Sequence, residues 1–283
     1  MKEKMKRWGG LAVLLVVTLG VLYGAYAMKM ESRRVPVLMY HHFAETSASD
    51  TVVSTERFEE QMTALHQAGY QAITLKQLYN YVHFKVPLPE NPIRITMDDG
   101  YTSNLEIAGP ILEELGMCAT VFVIGINEGE EVYVHSGEPF YQERFSYEEA
   151  KPWIQKGVID VQCHTYDMHQ LESYGFSGRD GMYQLPEESK EEYEQAIMLD
   201  FAQFRQRREP VTETELLGLA YPFGYYTQEL DEFIQDEVAI TFTIEPRMNV
   251  VTIWAPQSLR MMGRFNVTDG MTGEALVNLL KQS

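Results

Sequence analysis

The 283-residue chain is 45% hydrophobic, enough apolar material for one large core, and several α/β barrels of this size form single domains. Its 41 Asp and Glu against 23 Lys and Arg give a formal net charge of -18, which argues against nucleic acid as a partner. With only two cysteines it does not rely on a disulfide framework.

In chain order, the first feature is basic. Lys2, Lys4, Lys6 and Arg7 precede an uncharged, Leu- and Val-rich run from Trp8 to Met28. Its length is near the ~20 residues that span a bilayer, while Ala25-Tyr26-Ala27 resembles a signal-peptidase site. Residues 1–30 are therefore expected to be a membrane anchor or a cleaved signal. In either case the charge asymmetry leaves residues 31–283 extracytoplasmic, as an anchored or secreted domain.

From Val35 onward, strand-like runs alternate with amphipathic stretches. Strands are predicted at 35–40, 71–75, 93–97, 119–124, 158–163, 216–221 and 238–244. Helices are predicted at 54–69, opened by Ser54 and closed by Gly69, and at 104–116. Two more are predicted at 146–157, with Ser146 and Glu149 in capping-box spacing, and at about 187–208. The acidic stretch at 186–195 reads as a solvated helix face. This alternation predicts a mostly parallel sheet covered by helices, closing as a distorted or incomplete (β/α) barrel. Cys118 and Cys163 fall at opposite ends of neighbouring strands, so both are expected to be free, buried thiols.

In such a barrel the chemistry gathers at the C-terminal strand ends. There the sequence places His41-His42, Asp98-Asp99-Gly100, His164 with His169, and Pro222-Phe223-Gly224. Two carboxylates and two imidazoles at one mouth suit a divalent metal, and the cation removes the objection to Asp98 standing beside Asp99. A His/His/Asp set accepts zinc, and cobalt, nickel or manganese as alternatives. His66, His83 and His135 read as structural or surface residues. Tyr133, Phe140, Tyr141 and Tyr147 read as loop packing more than as sugar platforms, and 173–186 as a groove wall.

The segments "TMDDG" (96–100), "CHTYDMH" (163–169) and "AYPFG" (220–224), in this order, resemble the leading motifs of the NodB-homology polysaccharide deacetylases, carbohydrate esterase family 4. The resemblance runs from about Val35 to Val267. It looks nearest to the exported poly-N-acetylglucosamine deacetylases, which also carry text like "LMYHH". It implies hydrolysis of N-acetyl groups on an acetylated GlcNAc polysaccharide by a chain expected to act as a monomer. Asp99, His164 and His169 would bind the metal, Asp98 would be the general base, and Thr165 would support the metal loop. The backbone at Phe223, with Tyr221 beside it, would face the oxyanion.

This chain departs from the family pattern twice. The Arg that usually opens the third motif is replaced by Leu219-Ala220, which leaves Arg264 to brace the base. No His follows His169, so the proton donor is expected from the first strand, His41 being favoured over His42 by strand alternation and the family's "YH" pattern. A glycan O-acetyl esterase using the same site and a non-catalytic glycan-binding barrel are the competing readings.

Overall fold

The computed structural model describes residues 15–20 and 31–283. The apolar run assigned to the membrane lies outside these residues apart from 15–20. Among the described residues, no helix is long and apolar enough to cross a bilayer.

The described residues form twelve strands: Ser32–Val35 (β1), Val37–Tyr40 (β2), His42–Ala44 (β3), Val52–Ser54 (β4), Gln71–Ala72 (β5) and Pro92–Asp99 (β6), then Ala119–Val123 (β7), Ile159–Cys163 (β8), Gly218–Ala220 (β9), Ile240–Phe242 (β10), Asn249–Thr252 (β11) and Phe265–Asn266 (β12). The main sheet runs β10-β9-β8-β7-β6-β2-β12, and β5 pairs with the start of β6. Every pairing in it is parallel. The sheet curls until the segment before β12 lies along β10, where Met262 N–H donates to Thr241 O at 2.7 Å and Thr243 N–H to Met262 O at 2.8 Å. Gly263 permits this approach, because a Cβ there would meet Arg247 Cγ at 2.2 Å and Glu245 O at 2.5 Å. The result is the distorted barrel that the element pattern implied.

Strand alternation then decides which side chains enter the barrel. Along β6, Ile93, Ile95 and Met97 join the layer beneath the helices with Phe58, Met62 and Leu112, which sends Arg94, Thr96 and Asp98 to the opposite face. That layer is wholly buried.

The helices at Thr55–Gln67 and Tyr147–Gln155 lie where the capping signals placed them, and Lys190–Arg208 falls within the helix expected at about 187–208. Other elements differ for local reasons. The strand expected at 35–40 is split by Pro36, so β1 pairs antiparallel with β11 while β2 enters the barrel. The strand expected at 71–75 stops at Ala72, because Thr74 opens a capping box for a helix over Leu75–Phe84. The helix expected at 104–116 begins as a π turn at Asn104–Ala108 and becomes α only at Gly109–Glu114, since Pro110 brings no N–H. A C-terminal helix, Gly273–Gln282, is capped by Thr272 and buries Leu276, Val277 and Leu280.

Both cysteines are free, Cys163 buried and Cys118 only half-buried. Val123 pairs with Cys163 in the β7–β8 register, which puts Cys118 at the far end of the strand pair.

Candidate active site

The adjacent carboxylates at the end of β6 diverge because the backbone turns sharply there. Asp99 and Gly100 both adopt left-handed φ values, 75° and 79°. A non-glycine residue held in that region is a strained position of the kind that clusters at functional sites. Asp98 therefore stays inside the barrel while Asp99 swings toward β8.

Inside, Asp98 meets Arg264. The guanidinium donates through Nη1 to Oδ1 at 2.7 Å and through Nη2 to Oδ2 at 2.8 Å, and its Nε donates to Thr243 O at 2.9 Å. Arg264 is 0% exposed and Asp98 2%, so the pair is almost wholly withdrawn from bulk solvent, with only the carboxylate reaching the mouth. Burial pushes the Asp98 carboxyl upward, but Arg264 and then His164 outweigh it and hold it below the usual carboxylate range.

At the end of β8, His164 Nδ1 lies 2.7 Å from Ala220 O. A carbonyl only accepts, so Nδ1 carries the proton and Nε2 keeps its lone pair. That Nε2 is 3.6 Å from Asp99 Oδ1, and His169 Nε2 is 3.4 Å from the same oxygen. One ligand atom from each of the three residues lies within 4.8 Å of the others. Burial pushes both imidazoles down, His169 to about 4, against the pull of nearby Asp carboxylates. Two neutral imidazoles and one carboxylate form a donor set that fits a divalent transition metal with positions left open.

The segment between the two histidines is held tightly. Thr165 has φ +69°, and its Oγ1 accepts from Met168 N–H at 3.1 Å. Phe223 has φ +57°, and its ring centroid lies 4.3 Å from that of His169.

Tyr221 is a correction. Alternation along β9 places Ala220 in the barrel interior with Phe122 and Phe242, and turns Tyr221 outward with Leu219 toward Leu230 and Phe201. Its hydroxyl donates to Asp231 Oδ1 at 2.6 Å and its N–H to Phe242 O at 3.0 Å, so neither group is available to an oxyanion.

The two early histidines separate. His41 follows β2 and lies near enough for its charge to act on both Asp98 and Asp99, and Asn104 Nδ2 donates to its carbonyl at 2.7 Å. His42 is engaged elsewhere, because Ser103 Oγ accepts from Phe43 N–H at 3.1 Å and lies 2.9 Å from His42 Nδ1. Burial, and then Arg144, hold the His42 imidazole below its ordinary pKa.

Several neighbours gave no motif to read. Arg144 stacks on Tyr101 at 3.8 Å, donates to Asp99 O at 2.7 Å and stands 3.9 Å from Asp99 Oδ2. It reaches the site from a loop tied to the turn after β6 by the isolated Tyr101–Arg144 bridge. A groove of about 390 Å³ runs outward from Asp99 and His169 between Tyr133, His135, Tyr174 and Phe176. His135 is exposed, as expected, and its Nε2 lies 2.6 Å from Asp167 Oδ1 while its ring stacks on Phe176. Of the four aromatics weighed as sugar platforms, Tyr147 is buried, Tyr133 packs edge-on against Phe140, and Tyr141 is exposed.

The curled parallel barrel thus gathers two imidazoles and two carboxylates at its C-terminal mouth, one carboxylate gripped by a buried arginine, and the protein is an α/β-barrel hydrolase. The family described as polysaccharide deacetylase matches residues 85–243, and the chain belongs to that family. A Bacillus subtilis (strain 168) protein, YxkH, named as a candidate polysaccharide deacetylase, is 29% identical over 243 residues, 86% of this chain and 74% of that one. A poly-β-1,6-N-acetyl-D-glucosamine N-deacetylase of Staphylococcus aureus (strain MRSA252) is 31% identical over 119 residues, 42% of this chain and 39% of the relative. Among solved structures, IcaB from Ammonifex degensii superposes with a TM-score of 0.69 at 24% identity, covering 88% of this chain and 96% of that chain.

Proposed function

We propose that this hydrolase removes N-acetyl groups from an extracellular GlcNAc-containing polysaccharide with the help of a divalent metal, zinc fitting the donor set well. One observation carries this reading: the convergence of Asp99, His164 and His169 within 4.8 Å, beside a second carboxylate bound bidentately by a buried arginine. When bound, such a metal supplies Lewis acidity toward water and toward an acyl oxygen. The remaining work falls to the chain itself.

Asp98, kept ionised by Arg264, accepts the proton of the attacking water. The N–H at Phe223, turned by its left-handed φ, donates to the oxygen on which negative charge develops. His41 returns a proton to the departing amine. Tyr133, Tyr174 and Phe176 give the groove aromatic faces on which sugar rings can rest. The four basic residues before the apolar run support placing the domain outside the cytoplasm.

The substrate is tested by incubating the purified metal-loaded protein with β-1,6-linked GlcNAc oligomers, chitooligosaccharides and acetylated xylan. Acetate released together with free amine on a GlcNAc oligomer is the expected result. Acetate without amine would replace the reading with a glycan O-acetyl esterase.

The proton donor has its own test. His41→Ala should retain metal and KM while kcat falls by roughly 10²- to 10⁴-fold, the usual worth of a positioned acid. His42→Ala should lose far less, its ring being occupied with Ser103. The opposite order would transfer the role to His42.

A further inference from the structure

Four successive N–H groups lie between the two imidazoles, and each is met by a side chain. Thr165 N–H donates to Cys163 Sγ at 3.3 Å and Met168 N–H to Thr165 Oγ1 at 3.1 Å. The two between them share one carboxylate: Tyr166 N–H donates to Asp200 Oδ1 at 2.7 Å and Asp167 N–H to Asp200 Oδ2 at 2.8 Å. On the loop's other side, Thr165 O and Tyr166 O accept from Gly125 and Ile126 N–H at 3.0 and 2.8 Å.

Asp200 sits mid-way along the Lys190–Arg208 helix, 5% exposed. Among the described residues no Lys, Arg or His stands within ion-pairing distance of it, and the nearby Arg179 is paired with Glu188 at 2.7 Å. A buried carboxylate with no counter-ion is costly unless its oxygens are bonded. Burial pushes its carboxyl up to about 6, and the two N–H groups act against that rise.

The helix also meets the loop without slack. A Cβ at Gly125 would lie 2.9 Å from Phe204 Cδ2 and 2.9 Å from Tyr166 Cδ2, so helix, loop and the end of β7 are locked together at that glycine.

We propose that Asp200 is a positioning residue for the metal centre: by gripping two consecutive N–H groups it fixes the loop that sets the spacing of His164 and His169. It acts only through the loop, and the inference rests on the metal-dependent reading given above. Sequence position concealed it, because Asp200 lies 31 residues beyond His169 on a helix whose acidic start, 186–195, reads as a solvated face.

Asp200→Asn is nearly isosteric but offers one acceptor where two donors converge. Zinc affinity of the folded protein, measured by chelator competition without substrate, should weaken roughly 10- to 100-fold, the usual effect of removing such an outer support. At saturating zinc, kcat should return to near the wild-type value. Thermal unfolding of the metal-free protein is recorded in parallel, since a purely structural role would lower the melting temperature and leave zinc affinity unchanged; that outcome overturns the proposal. Should Asp200→Asn fail to fold, Asp200→Glu, which keeps both oxygens on a longer arm, is measured the same way, and unaltered zinc affinity would again overturn it. Failure of the wild-type protein to bind zinc, cobalt, nickel or manganese would overturn the functional reading and this inference with it.

Discussion

Asp98→Asn should lower kcat by roughly 10²- to 10⁴-fold while metal stays bound, because the amide cannot take a proton from water. The same change should also destabilise the protein. Arg264 is 0% exposed and gives Nη1 and Nη2 to the two Asp98 oxygens, so a neutral amide leaves a guanidinium sealed in the barrel without its counter-ion. Breaking a buried pair from one side costs about 3–5 kcal/mol. For a protein of this size each kcal/mol is worth about 2–4 °C of melting temperature, so a drop on the order of 10 °C is expected.

Arg264→Met should cost a similar amount from the other side, by stranding the carboxylate. The double variant, which removes both charges, should be less destabilised than the sum of the singles. Unfolding curves of the three variants, with activity and metal content measured on the folded protein, separate the two roles. Near-normal turnover in metal-loaded Asp98→Asn would remove Asp98 as the base. Strict additivity would show that the pair is not coupled.

The parts of this site that the sequence disclosed are those governed by local rules. Asp98 and Asp99 stand at the end of an eight-residue strand, so the strand-end rule located them, and strand alternation explains why Asp98 faces inward. Arg264 could be reached only indirectly, through the missing arginine of the third motif. The same alternation, applied one step further along β9, excludes Tyr221: Ala220 points in, so its successor points out.

What stayed hidden depends on tertiary approach. Arg144 arrives from a loop with no period or motif, and Asp200 arrives from a helix separated from β8 by the 173–186 segment. The Leu75–Phe84 helix was concealed for a different reason. Its buried Leu75, Leu78 and Val82 follow helical spacing, but the run before them reads as strand, and the Thr74–Gln77 capping box marks the change within a few residues.

His164→Ala should empty the metal site and with it remove nearly all activity. The imidazole is 2% exposed and its Nδ1–H is committed to Ala220 O, which leaves Nε2 toward Asp99; among the described residues the cluster contains no further His, Cys, Asp or Glu to take its place. Lewis-acid stabilisation is worth several kcal/mol, and each 1.4 kcal/mol is tenfold in rate, so a loss of roughly 10³-fold or more is expected. The backbone of β8 should hold, since its pairing with β7 spans Ile159 to Cys163 and does not depend on the His164 ring. Thermal unfolding of the metal-free variant should therefore stay close to that of metal-free wild type. His135→Ala serves as the comparison, because His135 lines the same groove but lies outside the three-residue cluster, and it should keep its metal. Elemental analysis after dialysis decides the matter: stoichiometric metal in His164→Ala would mean that the ion is held by a set other than Asp99, His164 and His169.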